Sequence, residues 1–345
     1  MIADMKQFKS QDGKIIIIDM ALNIFLYGNN SEDLPHFAQN ILLKTEWIQK
    51  LQQVIIENQA KNPNCTIGVD MSYISACLES RAFENFAKGI EHGENVFFFG
   101  LVPQSTFCER IISDMTTDSQ SPFYDNETGF VFVSKPSLTR RQKNIKVKKI
   151  PERIIKDEIS GIVRGLIDNR PNYELLCSSS IYANKYIDIK ALFMNPAELR
   201  LILFYLAKKI TSDNREYDAL VATSKNGSVL AELLGQLLGK DSAHCISVGP
   251  QFSVSAQTLN NALKPGKKYV YVGDFICLGT EVKLLQVLIA DRGATLVGGV
   301  SVASYIQLDN CELRAQNSPL CLISALINLI EEHIPFDICI HKRKD

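Results

Sequence analysis

The residues best suited to chemistry lie in the segment 269–280, which reads YVYVGDFICLGT. An apolar run leads to the carboxylate of Asp274, a short loop brings Gly279 and Thr280, and apolar residues at helical spacing follow over 282–290. This pattern predicts a buried strand, a turn and a helix. Free amide groups at the start of such a helix attract anions. A carboxylate beside an anion site suits a sugar phosphate, because it can hold ribose hydroxyls or a metal ion.

Length and composition exclude several classes of protein. A chain of 345 residues favours two domains, and 46% apolar residues are enough to build sizeable cores. The net charge of −1 offers no strong attraction for nucleic acid or anionic membranes. Nine cysteines without a CxxC pair predict reduced thiols, and the polar N-terminus does not read as a signal peptide. We therefore expect a cytoplasmic protein with no membrane partner and no metal-ligating histidine cluster.

The N-terminal half shows strand and helix signals in alternation, which predict a separate α/β domain over residues 1–135. The predicted strands cover 14–19, 66–70, 95–100 and 129–134, and the predicted helices cover 31–59, 72–89 and 106–115. Asp19 and Asp70 each end an apolar strand, the position where sites of open sheets tend to lie. Acidic strand ends also occur where there is no site, so both interpretations stay open.

A basic cluster, residues 139–149, follows this domain and reads TRRQKNIKVKK. With the apolar-periodic segment after it, it forms a predicted basic linker and connecting helix over 136–172. One interpretation is a solvated linker or edge strand; the other is a patch that contacts nucleic acid phosphates. The candidate contact residues are its six cations, Arg140, Arg141, Lys143, Lys146, Lys148 and Lys149.

Five features follow in order after residue 173. They are the segments 175–188, the helix start NPAE at 195–198, the strand and turn at 217–228 with a helix over 229–238, the segment 269–280, and the strand and closing segment at 294–324. Together they resemble the type I phosphoribosyltransferase family, closest to orotate phosphoribosyltransferases. The resemblance implies a parallel sheet flanked by helices over 173–345, and a homo-oligomer.

The resemblance also implies a site for phosphoribosyl pyrophosphate (PRPP), with Mg²⁺ as its cofactor and Asp274 as the catalytic residue. The segments similar to the family's PRPP and pyrophosphate loops supply the binding residues Cys277, Leu278, Gly279, Thr280, Glu281, Lys225, Asn226 and Gly227. Two departures bear on activity. Gly273 replaces the first of the family's two adjacent acids, and residues 244–255 hold no lysine or arginine to stabilise pyrophosphate.

Three functions remain open at this point. The first is a regulatory or effector protein that binds PRPP or a nucleotide, with weak or lost orotate-type catalysis and a protein partner for its N-terminal domain. The second is an active atypical transferase or glycosidase acting at ribose C1. The third is a nucleic-acid-associated effector of a bacterial defence or toxin system.

Cys277, at a predicted helix start, is either a reactive thiol or a small apolar side chain that fills space in the core.

Overall fold

The computed structural model describes most of the chain in two compact units, Met1–Glu158 and Ile159–Asp345. The described residues are 5–28, 41–77, 82, 85–86, 96–100, 123–125, 130–132, 140–176, 181–212, 215–244, 262–306 and 322–339. We describe each unit by itself.

The N-terminal unit contains a six-stranded sheet in the order β1-β2-β4-β6-β8-β7. Its strands are β1 Phe8–Lys9, β2 Ile15–Asp19, β4 Thr66–Asp70, β6 Val96–Phe99, β7 Phe123–Asp125 and β8 Phe130–Phe132. β2, β4 and β6 are parallel, and the remaining pairings are antiparallel. A separate pair of parallel strands is formed by β3 Ile41–Leu43 and β5 Ile74–Cys77.

Two helices flank this sheet, α1 Met20–Tyr27 and α2 Thr45–Lys61. Apolar residues recur along α2 at three- and four-residue spacing, so that one stripe of Trp47, Ile48 and Leu51 enters the core. The β-branched residues of β2 and β4 form the other side of that core. The alternating strands and helices predicted for this half are therefore present as a separate α/β unit.

The secondary-structure predictions for this unit are partly wrong. The helix predicted over 31–59 starts at Thr45 and is preceded by β3. The first part of the helix predicted over 72–89 is β5, whereas the described residues Ala82, Asn85 and Phe86 are helical as predicted. Each strand exists because the other pairs with it, a contact between distant segments that local periodicity does not reveal. The four predicted strands are confirmed, and the helix predicted over 106–115 lies outside the described residues.

The basic cluster is the start of a 26-residue helix, α3 Arg140–Gly165, which contains Pro151. The edge-strand interpretation is therefore wrong, and the interpretation as a linker stays a prediction. Lysine, arginine and glutamine favour helix, and the buried apolar stripe of Ile154, Ile159 and Val163 continues the same element. The helix crosses from one compact unit into the other.

The C-terminal unit contains a five-stranded sheet in the order β12-β11-β13-β14-β15, with every pairing parallel. The strands are β11 Ala219–Ala222, β12 Asp241–His244, β13 Lys268–Ile276, β14 Thr295–Ser304 and β15 Leu322–Asn328. The helices of this unit that the structure describes over several residues after α3 are α4 Ile189–Phe193, α5 Pro196–Ser212, α6 Lys225–Leu238 and α7 Thr280–Asp291. The predicted fold class, a parallel sheet flanked by helices after a separate α/β unit, is confirmed.

A second, antiparallel sheet completes the unit in the order β16-β10-β9. Its strands are β9 Ile167–Leu176, β10 Ile181–Ile187 and β16 Ile338–Cys339. Residues 322–324 of the closing segment belong to β15, and the described residues after that strand form turns and β16. Among the described residues, no helix is both long and apolar enough to cross a membrane.

Candidate functional site

The strand order of the parallel sheet reverses between β11 and β13. From β11 the chain passes through α6 to β12 on one side, and the following strands β13, β14 and β15 add on the other side. Connections that leave neighbouring strands in opposite directions open a crevice outside the strand ends, and ligands of open α/β sheets bind there. Ser224 and Asp274 lie on the two sides of this switch point.

A hydrogen bond joins these two sides. The Ser224 hydroxyl donates to Asp274 Oδ1 at 3.1 Å, and its oxygen accepts the Gly227 backbone N–H at 2.9 Å as the N-cap of α6. Asp274 Oδ1 also accepts the N–H of Phe275 at 3.0 Å. One serine therefore holds the carboxylate at the end of β13 against the start of α6.

The first turn of α6 contains three of the predicted binding residues. The residue pattern predicts a turn over 223–228 and a helix from 229, but α6 begins at Lys225 because Ser224 caps it. Lys225 is exposed, and Gly227 is buried. A Cβ at position 227 would lie 3.0 Å from the Val272 carbonyl oxygen, so glycine permits this close approach of helix and strand.

The loop after β13 places the other predicted binding residues at the start of α7. Gly279 is the N-cap residue with a φ of 70°, a left-handed conformation that favours glycine. No side chain caps α7, so the amides of Thr280 and Glu281 have no partner within the helix. Burial raises the pKa of Cys277 to about 12, which opposes a reactive thiol and favours the small apolar filler.

Tyr271 explains why an acid is missing at position 273. Its ring is fully buried, and a Cβ at Gly273 would lie 2.7 Å from the Tyr271 hydroxyl and 2.8 Å from Cε1. Gly299, its partner in register on β14, approaches the same side chain from the neighbouring strand. The tyrosine ring thus occupies the space that a side chain at 273 requires.

A second carboxylate, Glu281, lies in the first turn of α7. Burial raises its pKa to about 7, and the charge of Asp274 adds to that rise. The Thr223 side chain interacts with both Glu281 and Tyr271, yet its buried hydroxyl has no partner of good hydrogen-bond geometry among the described residues. Burial, then Glu281 and Asp274, raise the Tyr271 pKa well above its usual value.

The structure thus brings together both predicted segments, which meet through the Ser224–Asp274 contact. Sequence reasoning missed Thr223, Ser224 and Tyr271 as parts of the site. Ser224 could have been found, because a serine three residues before a buried glycine at a helix start is a typical N-cap. The residues next to Tyr271 in the sequence do not reveal its role, because that role depends on how its ring packs against Gly273 and Gly299.

Asp19 and Asp70 are also adjacent, as partners in register at the ends of β2 and β4. Both are buried. Asp19 Oδ1 accepts the N–H of Leu22 at 2.9 Å and caps α1, and Asp70 Oδ1 accepts the N–H of Ser72 at 2.9 Å. These contacts give both carboxylates a structural role. For the cations of residues 140–149 the structure describes a helical backbone and not their side chains, so nucleic acid contact stays a prediction.

No family model matches the chain, and no curated protein matches it. Among solved structures, similarity is found to adenine phosphoribosyltransferase from Trypanosoma brucei, solved with AMP, pyrophosphate and ribose-5-phosphate, at 12% identity and a TM-score of 0.37 over 50% of this chain and 80% of that one. Orotate phosphoribosyltransferase from Aeropyrum pernix matches at 16% identity and a TM-score of 0.39, over 51% of this chain and 94% of that one. The orotate enzyme from Mycobacterium tuberculosis matches at 16% identity and a TM-score of 0.37, over 51% and 98%. These matched chains, each similar to about half of this chain, are all phosphoribosyltransferases.

Proposed function

We propose that the C-terminal unit binds a phosphorylated ribose, with PRPP as the expected ligand, in the crevice between β11 and β13. The observation that carries this proposal is the convergence of two helix starts, those of α6 and α7, beside a carboxylate held by Ser224. Helix starts present free amides to anions, and a carboxylate accepts hydrogen bonds from ribose hydroxyls.

In this proposal each side of the crevice takes one end of the ligand. The uncapped start of α7, from Gly279 to Glu281, receives the 5′-phosphate through backbone amides. The start of α6 receives the pyrophosphate through the amides of Lys225 and Asn226 and through the exposed Lys225 ammonium. Asp274 lies between them and holds the ribose.

The same geometry favours binding with weak or lost orotate-type catalysis. A cationic ribose transition state needs nearby negative charge, and Tyr271 excludes the first acid of the family's pair. A leaving pyrophosphate needs cations, and residues 244–255 supply none. A regulatory or effector role for a ligand-binding unit follows as part of the proposal.

An active atypical transferase or glycosidase acting at ribose C1 is the second candidate, and Glu281 is the observation that favours it. Its carboxyl adds an acidic group close to Asp274. Incubation with PRPP and Mg²⁺, followed by an assay for released pyrophosphate, tests this candidate. Release that disappears in Asp274→Asn supports turnover, and release at the rate of buffer alone argues against it.

Isothermal titration calorimetry of the full chain with PRPP and Mg²⁺ tests binding. We expect a single site that is weakened by Lys225→Gln and by Asp274→Asn. Lys264→Gln is the matched control, because Lys264 is an exposed lysine just before the opposite end of β13. A lack of binding to PRPP, ribose-5-phosphate and AMP up to about 1 mM, an affinity of about 4 kcal/mol, would refute the proposal.

The nucleic-acid alternative has its own test. A gel shift with single- and double-stranded DNA and RNA, repeated at rising salt, would show binding that weakens with salt if the cations of residues 140–149 neutralise phosphates. Absence of a shift would leave the ligand-binding proposal untouched and remove this alternative.

A further inference from the structure

Ser224 has a contact that its role as a helix cap does not explain. Its oxygen accepts the N–H of Gly227 at 2.9 Å, which caps α6, and its O–H donates to Asp274 Oδ1 at 3.1 Å. Serine, asparagine and aspartate all serve well as N-cap residues. An ionised aspartate at position 224 would cap α6 but would have no proton to donate to Asp274. The hydroxyl therefore serves the carboxylate on β13 as well as the helix.

Close packing of α6 on β13 determines where this hydroxyl lies. A Cβ at Gly227 would lie 2.9 Å from Ser224 Oγ and 3.0 Å from the carbonyl oxygen of Val272, two residues before Asp274. Contacts this short leave no room for a side chain between the first turn of α6 and the strand. The packing of the backbone thus keeps Ser224 within reach of Asp274.

Two hydrogen bonds orient the Asp274 carboxylate. Both go to Oδ1, one from the Ser224 hydroxyl and one from the N–H of Phe275 at 3.0 Å. Within the described part of the chain, Oδ2 therefore accepts no hydrogen bond. Asp274 is partly exposed, so Oδ2 is the oxygen that remains for a ligand.

We propose that Ser224 is a positioning residue of the ligand site, which holds Asp274 in the orientation that leaves Oδ2 to accept hydrogen bonds from ribose hydroxyls. This inference rests on the proposed function, because it needs a ribose bound beside Asp274. Ser224 lies at the start of α6, where the proposed function places only the pyrophosphate. Binding of the ribose and its 5′-phosphate then depends on a serine that neither of them contacts.

The size of the effect follows from the freedom that Asp274 would gain. A side chain has three staggered positions about χ1, and without the Ser224 hydroxyl only the bond from Phe275 favours one of them. If Asp274 spreads evenly over the three positions, the fraction competent to bind falls to about one third, and the apparent dissociation constant rises about threefold.

Calorimetric titration of the full chain with ribose-5-phosphate, and separately with inorganic pyrophosphate, tests this role. The matched variants are Ser224→Gly and Ser224→Thr, because glycine and threonine are similar as N-cap residues while only threonine keeps the hydroxyl. We expect the dissociation constant of ribose-5-phosphate to rise about threefold in Ser224→Gly and to stay at the parent value in Ser224→Thr. Pyrophosphate should bind both variants as it binds the parent, since its proposed contacts are the amides of Lys225 and Asn226 and the Lys225 ammonium. Circular dichroism confirms that each variant is folded.

A second background shows whether Ser224 acts through Asp274. In Asp274→Ala the group that Ser224 positions is absent, so adding Ser224→Gly should leave the affinity for ribose-5-phosphate unchanged. A serine that only stabilises α6 would have the same effect in both backgrounds.

The outcomes separate this inference from the proposed function. Equal affinities of Ser224→Gly and Ser224→Thr for ribose-5-phosphate, or an effect of Ser224→Gly that persists in Asp274→Ala, would overturn the inference and leave PRPP binding standing. A loss of pyrophosphate affinity alone would show that Ser224 contacts the anion directly, and would overturn it too. If the parent binds neither ribose-5-phosphate nor PRPP at about 1 mM, the proposed function falls and this inference falls with it.

Discussion

Replacing Gly273 with alanine should destabilise the C-terminal unit, although alanine normally favours strand structure over glycine. The added Cβ would lie 2.7 Å from the Tyr271 hydroxyl, 2.8 Å from Cε1 and 2.9 Å from Cζ. Real Cβ atoms do not approach ring atoms so closely, so the ring must move. Tyr271 is only 2% exposed, and Gly299 packs against the base of its side chain.

The expected loss of stability follows from the lack of space around the Tyr271 ring. Overpacking of a well-filled core costs about 1–3 kcal/mol, and we expect about 2 kcal/mol for Gly273→Ala. Gly161→Ala is the matched control, since no atom lies within 4 Å of a Cβ at that exposed helical position. The control should gain about 0.5–1 kcal/mol from the higher helix propensity of alanine.

Urea unfolding followed by far-UV circular dichroism measures both effects. Fluorescence of Trp47, the single tryptophan, follows the N-terminal unit and assigns the transitions. In a double-mutant cycle, Tyr271→Leu removes the opposing ring atoms, so Gly273→Ala should cost nothing in that background. Equal stability changes for Gly273→Ala and Gly161→Ala, or strict additivity in the cycle, would refute the account of Gly273.

Two further predictions concern titration and reactivity. The folded-state pKa of Glu281 lies at about 7, above its ordinary value of 4.5, so the folded chain binds more protons between those values and loses stability as pH rises through them. A change of one in pKa corresponds to about 1.4 kcal/mol. The free energy of unfolding of Glu281→Gln should therefore rise relative to that of the parent by up to about 3 kcal/mol between pH 4.5 and pH 8. Parallel pH profiles of the two proteins in urea unfolding would contradict this. Cys277, buried with a pKa of about 12, should stay unlabelled by iodoacetamide at pH 8 in the native protein while the partly exposed Cys77 reacts; peptide mapping that finds equal labelling would show the thiol to be accessible.

Local patterns were enough to predict the strand, turn and helix over residues 269–290. An apolar run, a glycine in a left-handed conformation and a helical repeat are signals carried by neighbours in the chain. The order of elements in the C-terminal half and its fold class follow from the same signals. The starts of helices were predicted less accurately. α6 begins four residues before its predicted start, because Ser224 caps it.

Contacts between distant residues could not be predicted this way. The strands β3 and β5 stabilise each other across about thirty intervening residues, so the prediction of helix is wrong for residues 41–43 and 74–77. The basic cluster is a different case, because its conformation follows from local preferences. Its high charge suggested a linker or edge strand, whereas its lysine, arginine and glutamine residues favour helix and form the start of α3.

For the candidate site, the sequence alone identifies Asp274, the glycine-containing loops and the missing acid at 273. Only the tertiary structure shows that Ser224 holds Asp274 across 50 residues, that Tyr271 fills the place of the acid, and that the charges of Glu281 and Asp274 interact. The physical reason is that strand order and packing bring these groups together. Residue types and spacing record which groups are present, whereas hydrogen bonds, burial and charge interactions depend on which of them meet.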